Sequence, residues 1–165
     1  MSEFSHIDAA GAARMVDVSA KKETKRTAIA RAVVELNSHT LELLKARALP
    51  KGDVLTVAQV AGITAAKRTS ELIPMCHPLG LTHADVRFKV QDEPPSVLLE
   101  ASASPSGRTG VEMEAIVAAQ VAAATIYDMV KAVQKDVIIR DVRLVYKSGG
   151  RTGTFRREDA GETSC

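Results

Sequence analysis

The clearest signal in the chain is alternation of apolar and polar positions with a period of two. In "ADVRFKV", Ala84, Val86, Phe88 and Val90 stand against Asp85, Arg87 and Lys89. After "DEPPS" the segment "VLLEASAS" alternates again, so the two runs predict a hairpin. In "IIRDVRLVYK", Val142, Leu144 and Tyr146 alternate with Arg143, Val145 and Lys147, and the strand ends at Gly149-Gly150. "KRTAIARAVVEL" reads two ways: Ala28, Ala30, Ala32, Val34 and Leu36 alternate, while Ile29, Val33 and Leu36 also suit a helix. The strand is the preferred reading.

Between these runs the period changes. "SHTLELLKARAL" predicts a short helix ended by Pro50. Asp53 is the expected N-cap of a longer helix running to about Ile73, with Val57, Val60, Ala61 and Thr64 at helical spacing, and Pro74 stops it. After "PSGRTG" a long helix is expected from Val111 to Lys135, opened by a capping box with Thr109 as N-cap and Glu112 at N3. The order strand, helices, strand, strand, helix, strand matches the split βαβ arrangement. This predicts an α+β, ferredoxin-like antiparallel sheet covered by helices on one face. One domain is expected over residues 15–153, with flexible tails at 1–14 and 154–165.

Composition narrows the function classes. A chain of 165 residues suits a single domain. With 45% apolar residues and no Trp, its core depends on Ala, Val, Ile and Leu. A formal charge of +2 and 3% aromatics argue against nucleic-acid binding, so any anion site must be local. Cys76 and Cys165 form no CxxC or disulfide framework and no metal site is indicated, which makes a reducing cytoplasm the simplest compartment. No signal-peptide core is visible and no membrane is expected, the Ala-rich run at Ala118 to Ala124 being interrupted by Gln120.

Candidate chemistry gathers in few places. Glu112 reads as a cap, and Glu114 as an acid complementing the positive end of the helix dipole. Asp128, Lys131 and Lys135 share one helical face among small apolar residues. They are either a solvated ion pair or a functional group whose members, desolvated in a largely buried helix, shift each other's pKa. Glu114 and Asp128 lie ~21 Å apart along that helix. A single site using both would therefore need a second subunit, and Ala118, Ala119, Ala122, Ala123 and Ala124 would let helices approach closely. Lys51, Lys67, Arg68, Lys147 and other basic residues stand in or beside connecting segments and could converge on a phosphate, although no P-loop accompanies them. In "ELIPMCHPLG", adjacent Cys76 and His77 suit neither a metal site nor a nucleophile pair. A buried thiol in a rigid turn between Pro74 and Pro78 remains, with His77 a turn residue or a ligand contact.

The blocks "MVDVSAKKETKR", "AGITAAKRTSELIPMCHPL", "TGVEMEAIVAAQVAAATIYDMVKAVQK" and "VRLVYKSGGRTG" closely resemble the MoaC family, the cyclic pyranopterin monophosphate synthases of molybdenum cofactor biosynthesis. The resemblance runs from about residue 15 to 153. It implies a lyase that converts (8S)-3',8-cyclo-7,8-dihydroguanosine 5'-triphosphate to cyclic pyranopterin monophosphate with release of pyrophosphate. It also implies a cytoplasmic homohexamer, a trimer of dimers, with sites between subunits. Residue by residue, it implies an acid-base group of Lys51, Asp128 and Lys131. Substrate contacts would come from Met75, Cys76, His77, Glu112, Met113, Glu114, Lys67 and Lys147. No cofactor is expected to be required, and whether Mg²⁺ accompanies the triphosphate is left open by the sequence. Two lysines close together would depress each other's pKa, letting one serve as acid and the other as base with Asp128 holding the array. A non-catalytic nucleotide-binding module, the main rival, would bind without turnover and has no use for Asp128 and Lys131 inside a buried helix.

Overall fold

The computed structural model describes residues 15, 24–106, 109–150 and 152–158. Strand β1 (Thr27–Glu35) forms as its alternation predicts. Ala28, Ala30, Ala32 and Val34 are fully buried, while the intervening residues face the other side of the sheet. β2 (Gly80–Gln91) and β3 (Ser96–Ser106) make the expected hairpin, paired from Gln91↔Ser96 to Gly80↔Ser106. β4 (Ile138–Ser148) and a two-residue β5 (Phe155–Arg156) complete a sheet of order β2-β3-β1-β4-β5, antiparallel throughout. The helices α1 (Ser38–Lys45), α2 (Val54–Lys67), α3 (Thr69–Leu72) and α4 (Glu112–Val130) fill the connections. The arrangement is α+β and ferredoxin-like, as expected from element order.

α4 is the core helix. It lies over β1 and also contacts β3 and β4, while its flank packs against α2. Small residues make this possible: Ala30 and Ala32 on the sheet face Ala115, Ala119, Ala122 and Ala123 in the same core, all at most 1% exposed. Contact with α2 is closest at Gly62, where an added Cβ would meet Val86 Cγ2 at 2.8 Å, Ala118 O at 3.0 Å and Ala122 Cβ at 3.1 Å. Four of the five alanines expected to pack against another subunit are thus used inside the chain, because the gap between α2, α4 and the sheet admits nothing larger. Among those five only Ala124 is exposed. α4 is also long and apolar enough to cross a membrane by length and composition. It differs in this from the sequence reading, but here it is the buried helix of the core.

Several boundaries depart from expectation. α1 ends at Lys45, before Pro50. Arg47 takes φ 53, its N–H bonds to Leu44 O and the N–H of Ala48 reaches Leu43 O, a Schellman stop built on Arg in place of Gly. Asp53 caps α2 as predicted, accepting from Thr56 N–H at 3.1 Å, but the helix breaks after Lys67. There the buried Thr69 hydroxyl donates to Ala65 O and Ala66 O, at 3.2 and 3.1 Å, and the chain restarts as α3. α4 ends at Val130, not Lys135: the N–H groups of Val133 and Gln134 both turn back onto Val130 O. β5 escapes sequence reading because two residues carry no periodicity. It is held by Arg156, 5.3 Å from the Tyr146 ring centroid, and by Arg157 N–H donating to Val145 O.

Gly62→Ala tests the α2–α4 contact. Alanine normally improves a helix by ~1 kcal/mol over glycine, whereas overpacking costs about 1–3 kcal/mol. We expect a net loss of stability, read as a lower urea midpoint at unchanged slope; a raised midpoint would show that the helices have room to part.

Candidate active site

Lys51, Asp128 and Lys131 meet at the C-terminal end of α4. Lys51 follows Pro50 in the loop leading to α2. Its Nζ donates to Asp128 Oδ2 at 2.7 Å and to the Asp128 main-chain carbonyl at 2.8 Å. Lys131, the C-cap of α4, places its Nζ 2.6 Å from Asp128 Oδ1. Each carboxylate oxygen therefore has its own cation. The position is favourable twice over, since a helix C-terminus leaves carbonyls unpaired and carries partial negative charge.

The group is more open than a buried helix would suggest, with side chains 40–52% exposed, because Asp128 stands on the solvent side of a last turn that still buries Ile126, Met129 and Val130. Hydrogen bonds from Lys131 and then Lys51 pull the Asp128 carboxyl down from 3.8 to about 2. In return the Lys131 amine is raised, chiefly by its hydrogen bond to Asp128. The expected mutual depression of the two lysines does not hold for Lys131, since the carboxylate stands between them and outweighs their repulsion. Lys135 lies beyond the helix end and does not join the cluster.

A second cluster occupies the other end of α4. Pro74 occupies the second position of a turn closed by Cys76 N–H donating to Ile73 O at 3.0 Å, and His77 precedes Pro78 in the irregular segment leading to β2. Cys76 is half-buried, less than expected. Burial, and then the nearby Glu114 carboxyl, raise its thiol pKa, so it is not an activated nucleophile. Glu114 is 4% exposed in the first turn of α4, and burial, then the charge of Glu112, raise its carboxyl pKa.

Glu112 does not form the expected capping box. Val111 is the N-cap and makes no side-chain cap bond. The Glu112 carboxylate instead folds over Gly110, where a Cβ would lie 2.0 Å from Oε2, and points to Lys147 Nζ at 3.8 Å. Lys147 also donates to the Thr152 hydroxyl, a contact that no local sequence pattern signals. Met75 and Met113 are half-buried in these same two segments.

Gly62 faces Ala118 and Ala122 while Lys51, ahead of α2, reaches Asp128, so α2 runs antiparallel to α4. The exposed Lys67 at its end thereby falls at the Glu114 end. The predicted residues are thus gathered into two groups, Lys51, Asp128 and Lys131 at one end of α4 and the remainder at the other, ~21 Å apart along the axis. A shallow cleft of about 220 Å³ between Leu44, Arg47, Asp53 and Val90 includes none of them.

Glu114 and Asp128 act oppositely on stability. The lowered Asp128 pKa adds stability above pH 3.8 that disappears as pH falls through about 2. The raised Glu114 pKa favours the fold below its ordinary 4.5, and that contribution is lost as pH rises through the folded value. Glu114→Gln should therefore be more stable than the parent at pH 7, with the difference closing at about pH 4 and below, measured by urea denaturation at each pH. An equal or less stable variant at pH 7 would mean that Glu114 is compensated.

Comparison with known proteins places the chain in a family. A family model described as the MoaC family matches residues 15–150. A cyclic pyranopterin monophosphate synthase of Nitratidesulfovibrio vulgaris is 68% identical over 155 residues, 94% of this chain and 96% of the relative. Proteins of the same name from Oleidesulfovibrio alaskensis and Desulfovibrio desulfuricans are 64% and 60% identical, the first spanning 94% of this chain and 98% of the relative, the second 98% and 99%. With the family model matching residues 15–150, this chain belongs to the MoaC family.

Proposed function

We propose that the chain is a cyclic pyranopterin monophosphate synthase of molybdenum cofactor biosynthesis. It is a lyase converting (8S)-3',8-cyclo-7,8-dihydroguanosine 5'-triphosphate to cyclic pyranopterin monophosphate and pyrophosphate in the cytoplasm. The observation that carries the reading is the Lys51–Asp128–Lys131 cluster, set on a rigid helix end in a chain of this family.

The reaction opens and recloses a ring, and a hydroxyl oxygen forms a new bond to the α-phosphorus as the bond to pyrophosphate breaks. Protons must therefore be given and taken at several atoms. Asp128, with its carboxyl near 2, stays an anion at neutral pH and orients the lysines. Lys131 and Lys51, both donating to Asp128, are the groups that give and take these protons. At the other end of α4, Glu112 and Glu114 offer acceptors to the ring N–H and exocyclic amine of a guanine-derived base. Lys147 and Lys67 balance phosphate charge, with Met75, Cys76 and His77 walling the site. Mg²⁺ belongs to this scheme only as a companion of the substrate triphosphate. Among the described residues no group of three His, Cys, Asp or Glu side chains could hold a metal.

One molecule of substrate cannot bridge both ends of a single α4. The site is therefore composite: the Lys51, Asp128 and Lys131 end of one subunit meets the Glu114 and His77 end of another, in a homohexamer built as a trimer of dimers.

Incubation with the cyclised dihydro-GTP should yield the pyranopterin and pyrophosphate; absence of both overturns the reading. Lys51→Met and Lys131→Met should each lower kcat by about 10²–10⁴-fold while folded. Cys76→Ser should keep considerable activity, and His77→Ala should lose it. Mixed oligomers of Lys131→Met and Glu114→Gln chains should regain turnover that neither variant has alone, and failure to do so would place the whole site within one subunit.

A further inference from the structure

Gln134 is polar, uncharged and only 7% exposed, three residues past Lys131. Its Oε1 accepts the backbone N–H of Asn37 at 2.9 Å, across 97 residues of sequence. Asn37 is the N-cap of α1, and its own side chain accepts from Thr40 N–H at 2.8 Å. In a capping box, a Glu or Gln at N3 reaches back to the N-cap N–H. Here Thr40 stands at N3 and cannot play that part, so Gln134 supplies the acceptor from outside the helix.

The two chain segments joined by this bond are those that carry the reacting cluster. From the Asn37 cap the chain runs through α1 and the Arg47 stop to Pro50 and Lys51, while Gln134 closes the turn that follows Asp128 and Lys131. The segments are tied twice. One tie is the half-exposed Lys51 amine on the Asp128 carboxylate and main-chain carbonyl, and the other is the buried carboxamide of Gln134 on Asn37. An exposed ion pair between flexible side chains is weak at holding geometry. A buried side chain bonded to backbone holds it much better.

We infer that Gln134 is a positioning residue for the reacting cluster, fixing the start of α1 against the end of α4 so that Lys51 meets Asp128 and Lys131 in register. This rests on the proposed reading of those three residues. Gln134 itself touches none of the reacting atoms.

Gln134→Leu keeps the volume and removes the acceptor. Since small misplacements of catalytic groups are costly, kcat should fall about 10- to 100-fold with KM little changed. Gln134→Glu, which keeps an oxygen at the same reach, should recover most of the turnover. Independently of turnover, the Asp128 carboxyl followed by carbon NMR should titrate closer to 3.8 in Gln134→Leu than the parent value of about 2. If Gln134→Leu does not fold, Gln134→Asn, one methylene shorter, carries the same two expectations. A folded variant with parental kcat and an unmoved Asp128 titration overturns the inference. Absence of turnover in the parent enzyme would instead strike the proposed reaction, and the titration would still decide the role of Gln134.

Discussion

Helix α4 is enclosed by the sheet and by α2 along its middle, where it meets them largely through small side chains, and its charged residues stand only in its first and last turns. A helix of 19 residues is ~28 Å long, and its termini are also where backbone groups lack partners and the dipole presents its poles. Carboxylates at Glu112 and Glu114 occupy the positive end, and two lysines converge on Asp128 at the negative end. The rest of the architecture serves this one rigid spacer.

The two ends differ in solvation. At the C-terminal end the charges are half-exposed and compensate one another, which keeps Asp128 ionised and Lys131 charged. At the N-terminal end Glu114 is buried beside Glu112 and Cys76, with desolvation as the dominant influence on its proton. A carboxyl kept in that condition costs stability at neutral pH, which a purely structural residue would have no reason to do. The contrast makes one end an exposed, charge-compensated cluster and the other a desolvated carboxyl site with Lys147 beside it.

Much of this was legible from residue order. Alternation found β1, the β2–β3 hairpin and β4, and Asp53 announced the start of α2. Lys51, Asp128 and Lys131 were marked by family resemblance, and the spacing of Glu114 and Asp128 on one helix already showed that a single chain could not close one site around both. The misreadings share a form. Each reading fitted a local rule, and either a distant contact or a competing local one won: Lys147 drew Glu112 away from a cap and α2 claimed the alanines, while the Thr69 hydroxyl and the N–H groups of Val133 and Gln134 bonded carbonyls three or four residues back and ended their helices.

By itself, then, the amino-acid order determined which segments are strands or helices, the ferredoxin-like succession, and the residue types available for acid-base chemistry, because periodicity and capping act over a few residues. Only the tertiary structure decided how those residues stand toward one another. Solvent reaches Asp128 but not Glu114, Lys147 faces Glu112, and the Gln134 carboxamide closes the cap of α1. Burial and charge partners are supplied by elements tens of residues away, and no local pattern encodes the distance between them.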